Sequence, residues 1–112
     1  MKIWFCVKTD ETLDTVAKVI IDFNNVNEET QKGKWIWSID KGKGPEEYWK
    51  INSKFELENE ASCVALVYRE GDTVVLGEVP DEVLPNFLAP LLANYGFDQL
   101  KWIVASPKRP LF

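Results

Sequence analysis

The chain has 112 residues, 46% of them hydrophobic and 28% charged; that is the size and balance of one folded domain, which excludes a disordered segment and leaves enough apolar surface for a core without staples. Eighteen acids against thirteen bases give a formal net charge of −5, which argues against a broad phosphate-binding surface. With no histidine, the commonest general base and metal ligand is missing.

Residues 2–8 predict a strand. Ile3, Phe5 and Val7 alternate with Trp4 and Cys6, and both faces are apolar, so the strand belongs in the middle of a sheet. This apolar run is too short for a signal-peptide core, and nothing approaches the roughly 20 apolar residues of a membrane span. The sequence therefore reads as a cytosolic protein that starts at its own Met and has no membrane contact. Residues 10–25 predict a helix, with Leu13, Val16, Ala17, Ile20 and Phe23 on one stripe, acids in the first turns, and Thr9 or Asp10 as cap.

Residues 34–40 predict a second strand, with Trp35, Trp37 and Ile39 on one face and Lys34, Ile36, Ser38 and Asp40 on the other. A loop rich in Gly and Lys follows, and Pro45 to Trp49 has the composition of one helical turn. Residues 54–58 alternate, with Phe55 and Leu57 inward and charges outward, as at a sheet edge. Residues 62–69 and 73–79 read as apolar strands joined by a Gly71-Asp72 hairpin turn. Residues 81–95 carry a helical period interrupted by Pro85, which can start a segment, and Pro90, which opposes a straight one. Residues 99–105 predict a last strand, and 106–112 an irregular basic tail.

The expected fold is a single α+β domain over residues 1–112. Its sheet is mixed, mostly antiparallel, of about five to six strands, with two helical segments. The element order resembles a ferredoxin-like β-α-β-β-α-β plan with added strands, an analogy that carries no function.

Four groups of residues are candidates for chemistry. Trp35 and Trp37, set among Lys32, Lys34, Lys41 and Lys43, could stack on a ligand while the lysines attract an anion; the regular Trp35-Trp37-Ile39 face fits a core better, leaving binding to Lys34, Ile36, Lys41 and Lys43. Cys6 and Cys63 lie mid-strand and read as inert core thiols, although a bond between neighbouring strands stays open; two cysteines without histidine make a poor structural zinc site. The carboxylate pairs Glu28-Glu29, Glu46-Glu47 and Asp81-Glu82 lie in loops or helix starts, where solubility and the helix dipole explain them. Tyr95, Phe97, Leu111 and Phe112 could form an apolar patch for a partner or a second copy.

The function expected from the sequence is that of a small cytosolic protein-binding module, not an enzyme: an inhibitor, immunity-type or adaptor protein acting through a surface patch, with no cofactor or metal. Its partner would be another protein, and a homodimer is possible. The alternative is a binder of an anionic small ligand or single-stranded nucleic acid through Trp35–Lys43; a carboxylate-based enzyme ranks third.

Overall fold

A computed structural model describes residues 1–28, 35–43 and 48–105. It contains β1 (Lys2–Lys8), α1 (Leu13–Glu28), β2 (Trp35–Asp40), β3 (Trp49–Phe55), β4 (Ser62–Glu70), β5 (Thr73–Pro80), a short 3-10 turn (Asp81–Val83), α2 (Leu84–Asn94) and β6 (Leu100–Ala105). The six strands form one sheet in the order β2-β3-β4-β5-β1-β6, and every neighbouring pair is antiparallel. The class is α+β, as the sequence predicts. The ferredoxin-like comparison is not established by this order, because α1 carries the chain from β1 across three intervening strands to the far edge.

Both helices pack on one face of the sheet. The core joins Ile3, Phe5 and Val7 of β1, Val74, Leu76 and Val79 of β5, and Ala65 and Val67 of β4 to Val16, Ala17 and Ile20 of α1 and Phe87 and Leu91 of α2. Phe87 stacks on Phe5 with ring centroids 5.8 Å apart and meets Trp37 at 5.9 Å. In a flat sheet β1 and β2 would lie about 19 Å apart, at ~4.8 Å per strand spacing. One phenyl ring meets both because the Phe5 and Trp37 side chains lean toward it, the arrangement of a sheet wrapped around its helical layer, with the helix-free face as the convex one.

Local chemistry explains most boundaries. Thr12, not Thr9 or Asp10, caps α1, its Oγ1 accepting the Thr15 N–H at 3.3 Å. Arg69 of β4 donates to the carbonyls of Thr9 and Glu11 and so holds the loop that leads into the helix. Gly71, at φ +62°, and Asp72 make the two-residue turn between Glu70 and Thr73. Pro85 sits in the first turn of α2, where its missing N–H costs nothing.

Three expectations need correction. The strand expected at 54–58 lies at Trp49–Phe55, and Leu57, expected inward, is 85% exposed beyond its end. Trp49 accordingly opens a strand, not a helical turn. Cys63 is exposed and Cys6 half-buried; both are free, and β5 separates their strands, so they do not pair. Residues 29–34, 44–47 and 106–112 lie outside the described residues.

Candidate functional site

The convex face of the sheet carries the most distinctive surface. Side chains of strand residues directly opposite one another share a face, so the register assigns each position. Ile103 of β6 stands opposite Trp4 of β1. Trp4 leans over β5 at Gly77, where an added Cβ would lie 2.9 Å from the indole Nε1 and 3.7 Å from Tyr68 Cε1. Tyr68 of β4 in turn meets Tyr48, just before β3, with centroids 5.1 Å apart in an edge-to-face arrangement. An aromatic stripe therefore crosses the sheet at right angles to its strands, from Ile103 through Trp4 and Tyr68 to Tyr48.

The two ends of the stripe are open, Ile103 at 44% and Tyr48 at 53% exposure, while Trp4 and Tyr68 are half-buried. The rings cover their own floor: Val75, although it points away from both helices, is only 1% exposed. No helix covers this face among the described residues. Lys50, Lys54 and Lys101 share it, as do Asp40, Glu70 and Glu78 near its margins.

A bulge shapes the centre of the stripe. Between the pairs Ile3–Val79 and Phe5–Leu76, β1 has only Trp4 where β5 has Gly77 and Glu78. Glu78 takes φ +56°, a left-handed conformation that non-glycine residues adopt at a cost. The extra residue sets Gly77 beneath Trp4, where only glycine leaves room for the ring.

On this face Cys6 and Tyr68 favour their neutral forms. Burial, and then the nearby Glu70, push the Cys6 thiol upward against a smaller opposing pull from Lys101. Burial also raises the Tyr68 hydroxyl, helped by Glu70, Tyr48, Cys6 and Glu78 in that order. Neither group is poised as a nucleophile at neutral pH.

The sequence-predicted residues are scattered. Ile36 is 44% exposed on the convex face, opposite Lys54. Lys41 pairs with Asp14 of α1 at 2.9 Å and lies 5.2 Å above the Trp49 ring, so it ties the loop after β2 to the helical layer. Lys43 is exposed. Tyr95, expected on a patch, is 6% exposed in the core, with its hydroxyl donating to Glu11 Oε2 at 2.9 Å; the apolar ring is covered while the polar tip is satisfied. Phe97 is exposed at 78%, without Tyr95 beside it on the surface. Lys34, Leu111 and Phe112 lie outside the described residues. The Trp35–Trp37–Ile39 face is the inner face, as expected: Trp37 is 4% exposed, and Trp35, 40% exposed, packs on Phe55 with centroids 5.4 Å apart.

Two clefts flank this inner face. One, of about 480 Å³, runs between α1 and β2 past Asp14, Lys18, Ile39 and Lys41. The other, of about 360 Å³, lies between β2–β4 and the start of α2, walled by Trp35, Trp37, Val64 and Val83 with Ser53 and Glu82. The Trp37 indole N–H is buried without a hydrogen-bond acceptor, its ring held against Phe87. Among the described residues no group of three or more Cys, Asp or Glu could hold a metal ion, and no helix is long and apolar enough to cross a membrane.

No family model, curated protein or solved structure matches the chain.

Proposed function

We propose that this chain is a non-enzymatic protein-binding module, of the inhibitor, immunity or adaptor kind, that lays the convex face of its sheet against a partner protein. The observation that supports this reading is the Ile103–Trp4–Tyr68–Tyr48 stripe, a row of large side chains on a face that neither helix covers. Rings held in place by Gly77 and by each other lose little freedom on contact, which is what interface anchors need. The lysines and carboxylates around the stripe favour a partner surface with an apolar centre and a rim of mixed charge.

The rival reading places an anionic ligand or single-stranded nucleic acid on Trp35–Lys43. It finds less support, because Trp37 is enclosed by the core and Lys41 is committed to Asp14. A catalyst is supported by no cluster of shifted groups in a cleft among the described residues: Tyr95 and Glu11 are joined in packing the loop before α1 against the chain after α2.

The test is affinity capture from the source cell with the full chain and with Tyr48→Asp/Lys50→Glu, a pair of exposed changes that leave the core alone. A stoichiometric partner whose recovery falls about tenfold or more with the variant, at unchanged thermal stability, is the expected result. Recovery of nothing but the bait, or equal recovery by both chains, would sink the reading.

A further inference from the structure

The two edges of the sheet are treated differently. At the β2 edge the outward groups of Trp37 are already occupied: its N–H donates to Asn25 Oδ1 at 2.8 Å, and its carbonyl accepts from Asn25 Nδ2 at 3.1 Å. A side chain of α1 thus fills the place a neighbouring strand would take. At the β6 edge no side chain among the described residues bonds to the main chain of residues 101–104. The strand pairs with β1 without a bulge or proline. Its outer positions are apolar, with Trp102, Ile103 and Val104 exposed at 40%, 44% and 52%. Edge strands are normally blunted by charges, prolines, bulges or a cover. Here Lys101 is the one charge in Leu100–Ala105.

The geometry points to β6 as the interface for a second copy of this chain, paired antiparallel with its own β6 about a two-fold axis at Ile103. In such a pairing opposite residues share a face, so a residue must stand on the axis. With Ile103 there, Ile103 meets Ile103 on the convex face, Trp102 meets the other copy's Val104 on the helical face, and Lys101 stands opposite Ala105, away from the other Lys101. Like charges directly opposite are therefore avoided, and exposed aliphatic and aromatic groups find cross-strand partners. The register also continues the convex stripe: it ends at Ile103 in one copy and resumes at Ile103 in the next, so two stripes join into one across a twelve-strand sheet. A second copy satisfies all three features of the edge at once: free main-chain groups, apolar side chains on both faces, and a single charge displaced from the axis. This interface stands whether or not the convex face binds a further partner.

Sedimentation velocity on the full chain tests it. The expected result is a monomer–dimer equilibrium with dimer predominant at concentrations on the order of 100 µM. Ile103→Lys sets like charges against each other on the axis and should weaken the dimer by about tenfold or more, while circular dichroism and thermal melting show the monomer fold unchanged. Should that variant not fold, cysteine cross-linking decides. In a Cys6→Ser/Cys63→Ser background, Ile103→Cys places two thiols directly opposite and should oxidise to a covalent dimer, whereas Trp102→Cys, offset by two residues from its counterpart, should not. A chain that stays monomeric at that concentration, a dimer indifferent to Ile103→Lys, or equal cross-linking at both positions would overturn the proposal.

Discussion

Asn24 of α1 donates its side-chain amide, at 2.9 Å, to the main-chain carbonyl of Asn86 in α2. That carbonyl would ordinarily accept from the N–H of residue 90 four positions on, but residue 90 is Pro. A helix-breaking residue in one helix thus creates an acceptor that a polar residue buried in the other satisfies. The exchange is reciprocal, since Asn86 Nδ2 donates to Asn24 Oδ1 at 2.8 Å, and Asn24 Nδ2 also reaches the Ile20 carbonyl at 2.7 Å. Asn24 is 1% exposed, so its side chain has no other partners to turn to.

Asn24→Ala should cost about 2–4 kcal/mol in urea unfolding, because it strands a buried carbonyl and amide as well as deleting bonds. Pro90→Ala restores the helical donor. The loss on Asn24→Ala should therefore be smaller in a Pro90→Ala background, by about 1 kcal/mol or more. Additive losses in the double-mutant cycle would show that the two helices are not coupled through this carbonyl.

The Tyr95–Glu11 bond makes stability depend on alkaline pH. Burial, then the hydrogen bond to Glu11 and its charge, hold the Tyr95 hydroxyl well above its ordinary value of about 10. A raised acid gives stability that is complete below the unfolded value and lost as pH climbs beyond it, because the unfolded chain sheds the proton first. Tyr95→Phe should cost about 1 kcal/mol near neutrality, and the advantage of the parent chain should shrink from about pH 10 upward. Paired unfolding curves across that range cancel the other titrating groups. A difference that stays constant would mean that the hydroxyl is not held by Glu11.

The bulge beneath Trp4 gives opposite expectations at adjacent residues. Gly77→Ala drives a methyl into the indole, at 2.9 Å from Nε1, and should cost about 1–3 kcal/mol while shifting the Trp4 indole resonance in ¹H–¹⁵N spectra. Glu78→Gly removes a side chain from φ +56° and should be neutral or stabilising by up to about 1 kcal/mol. Loss of stability at Glu78→Gly comparable to that at Gly77→Ala would mean that the bulge is held by the glutamate side chain and not by backbone geometry.

Local chemistry in the sequence reveals much of this fold. Gly71-Asp72 between two β-branched runs announces the β4–β5 hairpin, and the two apolar faces of Ile3 to Val7 announce a central strand. β3 is harder to see. Its inward set is Trp49, Ile51, Ser53 and Phe55, and the polar Ser53 breaks the apolar pattern, so the visible alternation shifts onto Phe55 and Leu57. The cap of α1 is ambiguous because Thr9, Asp10 and Thr12 can all accept a hydrogen bond; only packing selects Thr12. Tyr95 and Phe97 look equivalent in the sequence, and the difference between them lies in Glu11, far away along the chain. The convex stripe is invisible in one dimension. Trp4, Tyr48, Tyr68 and Ile103 become neighbours only once the strand order is fixed, and strand order follows from long-range pairing that no local pattern encodes.

Asn25 decides how far assembly can go. A sheet with two bare edges can add copies end to end without limit, as fibrils do. The Asn25 clamp on Trp37 obstructs a further strand at the β2 edge, while the main chain of β6 carries no such clamp among the described residues. A pair joined through β6 presents a clamped β2 at each outer end, so growth stops at two. In the dimer proposed through β6, one helix amide thereby stands between a closed pair and a polymer, and replacing Asn25 is expected to reopen the route to filaments.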